Sequence, residues 1–179
     1  VSRVLLVRTD PGVQRVAVAV LRGDLGLPWA VQADLVLRGP DGGTLGELLA
    51  GAVDAVRFVL GLGVRTVSAR CTGSLDDDHG VLNATLIFEH EVGASITVSR
   101  IATPGLDEAR LRVMGNEGVL AADLTRPAVL IDGGARLLAY GPTAVEPVLE
   151  PADADAVAGV VDAIRKSIAE NAVIHLEGI

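Results

Sequence analysis

The sequence predicts an α+β fold: an open-faced, mainly antiparallel β-sheet with helices packed on one face. Three observations predict it. Residues 29–38, 81–90 and 94–99 alternate between apolar and polar, the period of half-buried strands. Residues 45–60 carry a wide apolar stripe at helical spacing. The order runs strand, helix, strand, helix, then many short strands and a last helix, which places helices on one side of a sheet.

Each element has its own local signal. Val4 to Val7 is a short apolar run and reads as a strand. Asp10-Pro11 reads as an N-cap followed by proline at the first helical position. Val13, Val16, Ala17, Val20 and Leu21 then fall on one helical face, and Gly23 supplies the stop. In the next strand Val31, Ala33, Leu35 and Leu37 point one way, with Gln32, Asp34 and Arg38 opposite. The run Gly39-Pro40-Asp41-Gly42-Gly43 breaks it.

Thr44 and Glu47 have capping-box spacing. Leu45, Leu48, Leu49, Ala52, Val53, Val56, Val59 and Leu60 form the stripe of the second helix, closed by Gly61 and Gly63. Val64 to Arg70 reads as a strand, and Asp76-Asp77-Asp78 as a solvated loop. Residues 81–90 and 94–99 form a hairpin turning near Gly93. Further short strands are expected at 109–114, 118–124, 127–132 and 135–140. The last helix starts near Pro151 to Asp153, with Val157, Val160, Val161, Ile164 and Ile168 on one face.

Composition narrows the function. With 179 residues, half of them hydrophobic, the chain can bury a real core and is expected to form one domain over 1–179. The formal net charge of −8 argues against nucleic acid as a partner. No apolar run has the length of a bilayer span, so no membrane partner is expected. The aromatic side chains are Trp29, Phe58, Phe88 and Tyr140, too few for stacking platforms. The lone cysteine, Cys71, excludes a disulfide framework, and with the missing leader pattern it suggests a cytoplasmic setting. The start at Val1, directly before a strand-like run, suggests a chain that begins inside a longer protein.

Chemistry-bearing motifs are sparse. Gly61-Leu62-Gly63 lacks a third glycine and closes a helix, where a dinucleotide fingerprint must open one. His79, His90 and His175 are dispersed, so no metal site is expected. The informative stripe is on the second helix, where Glu47, Gly51, Asp54 and Arg57 or Phe58 share a face. A mid-helix glycine costs about 1 kcal/mol relative to alanine. At Gly51 it marks either a close approach by a backbone or ligand, or a tolerated residue on a solvated face. Spacing leaves both open.

These residues in order resemble the C-terminal domain of the Gfo/Idh/MocA oxidoreductases. Arg8-Thr9-Asp10-Pro11 with Gln14-Arg15 and Gly23-Asp24-Leu25-Gly26 resembles that family's Arg-Phe-Asp-Pro … Gly-x-Leu-Gly stretch. Gly43-Thr44-Leu45 through Asp54 to Leu60-Gly61 resembles its Gly-x-Leu-x-Asp-x-Gly-x-His-x-x-Asp … Leu-Gly helix. Ser99-Arg100 and Met114-Gly115-Asn116-Glu117-Gly118-Val119-Leu120 resemble the later strand and turn. The likeness runs in register from about 8 to 132.

The resemblance implies an NAD- or NADP-dependent parent protein whose nucleotide-binding domain is not in these residues, so no cofactor site is expected here. It implies a sugar, inositol or similar polyol as substrate, and a homo-oligomer built through the sheet face. It places Arg8, Glu47, Gly51, Asp54 and Arg100 nearest the substrate. The two arginines would orient hydroxyl or carboxylate groups. It also implies a loss: Gly51 stands where the family has its catalytic His, so no catalytic residue is assigned. Two alternatives stand beside this reading: a non-catalytic, ligand-binding relative, and a free-standing assembly module that uses its sheet face. Alanine at Asp54 is expected to weaken ligand binding with little change in thermal midpoint.

Overall fold

The computed structural model describes residues 6–39, 42–125, 128–132, 136–139 and 151–177. Its elements are α1 (Pro11–Leu21), β1 (Pro28–Arg38), α2 (Leu45–Leu60), β2 (Val64–Thr72), β3 (Gly80–Phe88), β4 (Gly93–Ile101), β5 (Glu108–Gly115), β6 (Val119–Asp123), β7 (Ala128–Asp132), β8 (Arg136–Ala139), α3 (Pro151–Glu170) and β9 (Ile174–His175). A single turn of 3₁₀ helix, Glu89–Glu91, joins β3 to β4.

The strands form one sheet in the order β8-β7-β6-β5-β1-β4-β3-β2-β9. Every neighbouring pair is antiparallel except the central β1 and β4, which run parallel with Val31 beside Ala94 and Leu37 beside Arg100. This is the expected α+β architecture. The parallel pair arises because α2, β2 and β3 intervene between β1 and β4 and carry the chain back to the same end of the sheet.

The helices rest on one face, with α1 over β6 and β7, α2 over β1, β3 and β4, and α3 over β2. The alternation read from the sequence sets that face. Val31, Ala33, Leu35 and Leu37 of β1, Leu82, Ala84, Leu86 and Phe88 of β3, and Ala94, Ile96 and Val98 of β4 are buried. Each fully buried Leu, Ile or Phe contributes about 1.5–3 kcal/mol. The other face carries exposed Asn83, Thr85, Ser95, Arg110 and Arg112. There Thr97 Oγ1 donates to Asn83 Oδ1 at 3.1 Å.

Both helix starts follow their caps. Asp10 Oδ1 accepts from the amides of Gly12 and Val13, with Pro11 next to it. Thr44 and Glu47 form a reciprocal box, in which Glu47 N–H donates to Thr44 Oγ1 and Thr44 N–H to Glu47 Oε2. Gly61 ends α2 in the left-handed region with φ 64°. Fully buried Ser167 ties α3 to the sheet by accepting from Ala69 N–H and donating to the Ala172 carbonyl.

The structure corrects the reading at the N-terminal end. Leu6 and Val7 form no strand, and residues 1–5 lie outside the described residues. Leu6 is nonetheless buried, because the segment lies along α2. At the other end β9, with two residues, extends the sheet beyond β2.

Candidate functional site

The stripe on α2 acquires its meaning from the segment that crosses it. Residues 6–8 lie against the middle of the helix, and Gly51 makes room for them. A Cβ at Gly51 would stand 3.2 Å from the Leu6 carbonyl oxygen and 3.2 Å from Val7 Cγ1. Of the two readings of this glycine, the close approach of a backbone is the one realised.

That approach delivers Arg8 to Asp54, one turn further on. Arg8 Nε donates to Asp54 Oδ2 at 2.7 Å, and Nη2 donates to Asp54 Oδ1, a bidentate pair. Its remaining arm, Nη1, donates to Asp153 Oδ2 at 2.9 Å, at the start of α3. The Arg8 and Asp54 side chains are 8% and 15% exposed, and that of Asp153 41%. The Phe58 ring lies 5.4 Å from the guanidinium carbon. Hydrogen bonding to Asp54 is the chief cause that raises the Arg8 pKa above its usual value, against the opposing effect of burial. Three chain segments far apart in sequence are thus fastened at one cation.

The five expected residues do not form one cluster. Arg8, Gly51 and Asp54 meet at the middle of α2. Glu47 sits one turn before Gly51, about 6 Å along the axis, and its carboxylate serves the capping box. Arg100 is buried on β4, and its Nε donates to the Asp78 carbonyl at 3.0 Å. The loop carrying Asp78 receives the start of α2, with Leu45 N–H on the Asp77 carbonyl and Gly46 N–H on the Leu75 carbonyl. Glu47 and Arg100 therefore belong to the N-terminal end of the helix. The sequence does not mark Asp153 as a site residue, because nothing in a run of alanines and aspartates at a helix start singles out one of them as the partner of a residue 145 positions away.

Two hollows flank the Arg8 fastening. One is an apolar groove of about 450 Å3 between α2 and α3, with Gly51, Asp54, Ala154, Val157 and Ala158 in its lining. The other is a cleft of about 480 Å3 at the C-terminal end of α2, lined by Arg8, Arg57, Phe58, Gly61, Leu62, Gly63, Glu89 and Asp153. Both volumes suit a small molecule. The Arg57 guanidinium has its Nη1 shut away from water without a hydrogen-bond partner. Desolvation lowers its pKa, against the attraction of Asp153 and Asp54.

The glycines at Gly61 and Gly63 do not suit a dinucleotide. Gly61 N–H is spent on the Arg57 carbonyl and Gly63 N–H on Glu89 Oε2 at 3.2 Å, and both lie at a helix C-terminus, where the dipole disfavours phosphate. Among the described residues no group of three or more His, Cys, Asp or Glu side chains could hold a metal ion. No described helix is long and apolar enough to cross a membrane.

The sequence profile of the GFO/IDH/MocA C-terminal domain matches residues 13–121, more than half of the chain. The chain belongs to this family. No curated protein matches the sequence. Among solved structures, levoglucosan dehydrogenase in complex with NADH and L-sorbose is 16% identical with a TM-score of 0.77, over 96% of this chain and 64% of that one. GenD2 from gentamicin A biosynthesis, in complex with NAD, is 22% identical with a TM-score of 0.73, over 96% and 62%. An oxidoreductase from Sinorhizobium meliloti is 18% identical with a TM-score of 0.76, over 93% and 62%. At these identities the likeness establishes the fold. This chain spans less than two thirds of the length of each.

Proposed function

We propose that residues 1–179 form one domain, the substrate-binding and assembly part of an NAD- or NADP-dependent oxidoreductase acting on a sugar, inositol or similar polyol. The observation that carries this reading is the family match over 13–121. The relative that holds NADH together with L-sorbose supports both the cofactor and the substrate class. In this reading the nicotinamide cofactor supplies hydride transfer and is held by residues outside those described.

This chain's part is to bind and orient. In this reading the groove beside Gly51 and Asp54, two of the five residues that the resemblance sets nearest the substrate, receives it. Arg8 and Asp54 act there as positioning residues, since their charges are engaged with each other and hold residues 6–8 against α2. Glu47 and Arg100 keep the other end of the helix in place. The exposed polar face of the sheet, with Asn83, Thr85 and Ser95, is the surface proposed for assembly with further copies. The lone half-buried thiol of Cys71 agrees with a cytoplasmic setting.

Gly51 favours a second reading, a relative that binds ligand without turnover. No side chain stands at this position to move a proton, and Leu6 and Val7 occupy the neighbouring space. Steady-state assay of the full gene product with NAD⁺ and NADP⁺ against a polyol panel separates the two. Cofactor-dependent oxidation of at least one polyol is expected. Tight cofactor and polyol binding with no turnover would establish the second reading instead.

A further inference from the structure

We propose that the cleft at the C-terminal end of α2 is a binding site for an uncharged, hydroxyl-bearing ligand, anchored on Arg57. It is separate from the groove beside Gly51, and it rests on the reading above only for polyols as first probes.

Arg57 is the feature in the cleft that the fold leaves unexplained. Its guanidinium is partly buried and desolvated, and its Nη1 is closed off from water without a partner. A buried donor left unsatisfied costs about 1–3 kcal/mol. By contrast, Arg8, 5.4 Å above the Phe58 ring, is held by two carboxylates. Because Nη1 has no partner, it can turn toward an oxygen in the cleft without breaking a hydrogen bond of its own.

The charges decide the class of that oxygen. Arg8 and Arg57 balance Asp54 and Asp153, and Glu89 adds one negative charge at the rim. Two like charges about 4 Å apart at a protein surface repel by roughly 4 kcal/mol, as much as a single guanidinium attracts. A phosphate or carboxylate entering beside Asp153 and Glu89 would forfeit the attraction of Arg57. An uncharged ligand escapes this cancellation. Its hydroxyls donate to the carboxylates, one of its oxygens accepts from Arg57, and Phe58 offers an apolar side. A volume of about 480 Å3 suits a single ring.

The test is amide chemical-shift mapping on the 179-residue chain with myo-inositol and sorbitol, and with acetate and inorganic phosphate as charged probes. The expected result is polyol-dependent shifts at Phe58, Leu62, Gly63 and Glu89, abolished in Arg57→Gln. Arg57→Gln is expected to keep the wild-type thermal midpoint or exceed it, since it removes a buried donor without a partner. Arg57→Lys, which keeps the charge but loses the fork, should weaken polyol binding at least fivefold. Shifts confined to Gly51, Ala154 and Val157 would overturn the Arg57 site and leave the polyol reading standing. A response to acetate or phosphate but not to polyols would overturn the ligand class. No response to any probe would overturn the site, whereas polyol turnover by the full gene product would still uphold the reading above.

Discussion

Arg8 and Asp54, 46 residues apart, meet through a bidentate ion pair almost closed to solvent, with Nε 2.7 Å from Oδ2. The pair pins the segment before α1 to the middle of α2, and Asp153 extends the fastening to α3. The stripe that the resemblance marks as nearest the substrate is therefore also a structural joint.

That joint makes Asp54 costly to remove. Asp54→Ala leaves a buried guanidinium with only the more exposed Asp153, and is expected to cost about 2–4 kcal/mol in a denaturant titration. This revises the expectation of a nearly unchanged thermal midpoint. Asp153→Ala should cost 1 kcal/mol at most, roughly what a half-exposed pair is worth. Equal losses for the two variants would contradict the assignment of Asp54 as the main partner.

Gly51 is expected to resist any side chain of size. Gly51→Ala gains about 1 kcal/mol of helix propensity but crowds the Leu6 carbonyl at 3.2 Å, so its net effect should lie near zero. Gly51→His must displace the segment and should cost about 1–3 kcal/mol, read from the unfolding midpoint. A histidine accepted without loss would mean that Leu6 and Val7 do not pack against the middle of α2.

The β3–β4 turn holds two residues in the left-handed region, His90 at φ 57° and Glu91 at φ 61°. Such a hairpin turn favours Asn followed by Gly. The double change His90→Asn, Glu91→Gly should stabilise the domain by about 1 kcal/mol, a rise of roughly 2–4 °C in Tm. The pair between Glu91 and Arg65, at 3.6 Å with both side chains mostly exposed, offers little to lose.

Asp10 gives a pH test. Burial is the larger influence and raises its pKa above 3.8, against the amide bonds from Gly12 and Val13. A carboxyl with a raised folded pKa favours the fold at low pH, and that contribution fades as pH climbs from near 3.8 through the folded value. Asp10→Asn keeps a capping oxygen and has no such titration. The stability difference between variant and wild type should therefore move in the variant's favour as pH rises across that window, seen in urea midpoints at stepped pH.

Much of this architecture was legible in the residues. Asp10-Pro11 and Thr44 with Glu47 set the starts of α1 and α2, because caps are local chemistry. Alternation set the buried face of β1, β3 and β4, because the pleat has period two. What stayed hidden was long-range. Nothing local in β1 or β4 announces their parallel pairing, and β9 is too short to show a period. The site was half legible. The helical face brought Gly51 and Asp54 together on paper, but only the path of residues 6–8 shows why the glycine is there. Arg8 was singled out without its partner Asp153, and Glu47 and Arg100 proved to hold the opposite end of the helix.

The most direct test of the central claim is a fluorescence titration of NADH and NADPH against two proteins, the full gene product and the 179-residue chain. The account predicts saturable binding of at least one nucleotide by the full product and none by the chain. Binding by the isolated chain, or by neither protein, would contradict its assignment as the substrate-side domain of a nicotinamide-dependent oxidoreductase.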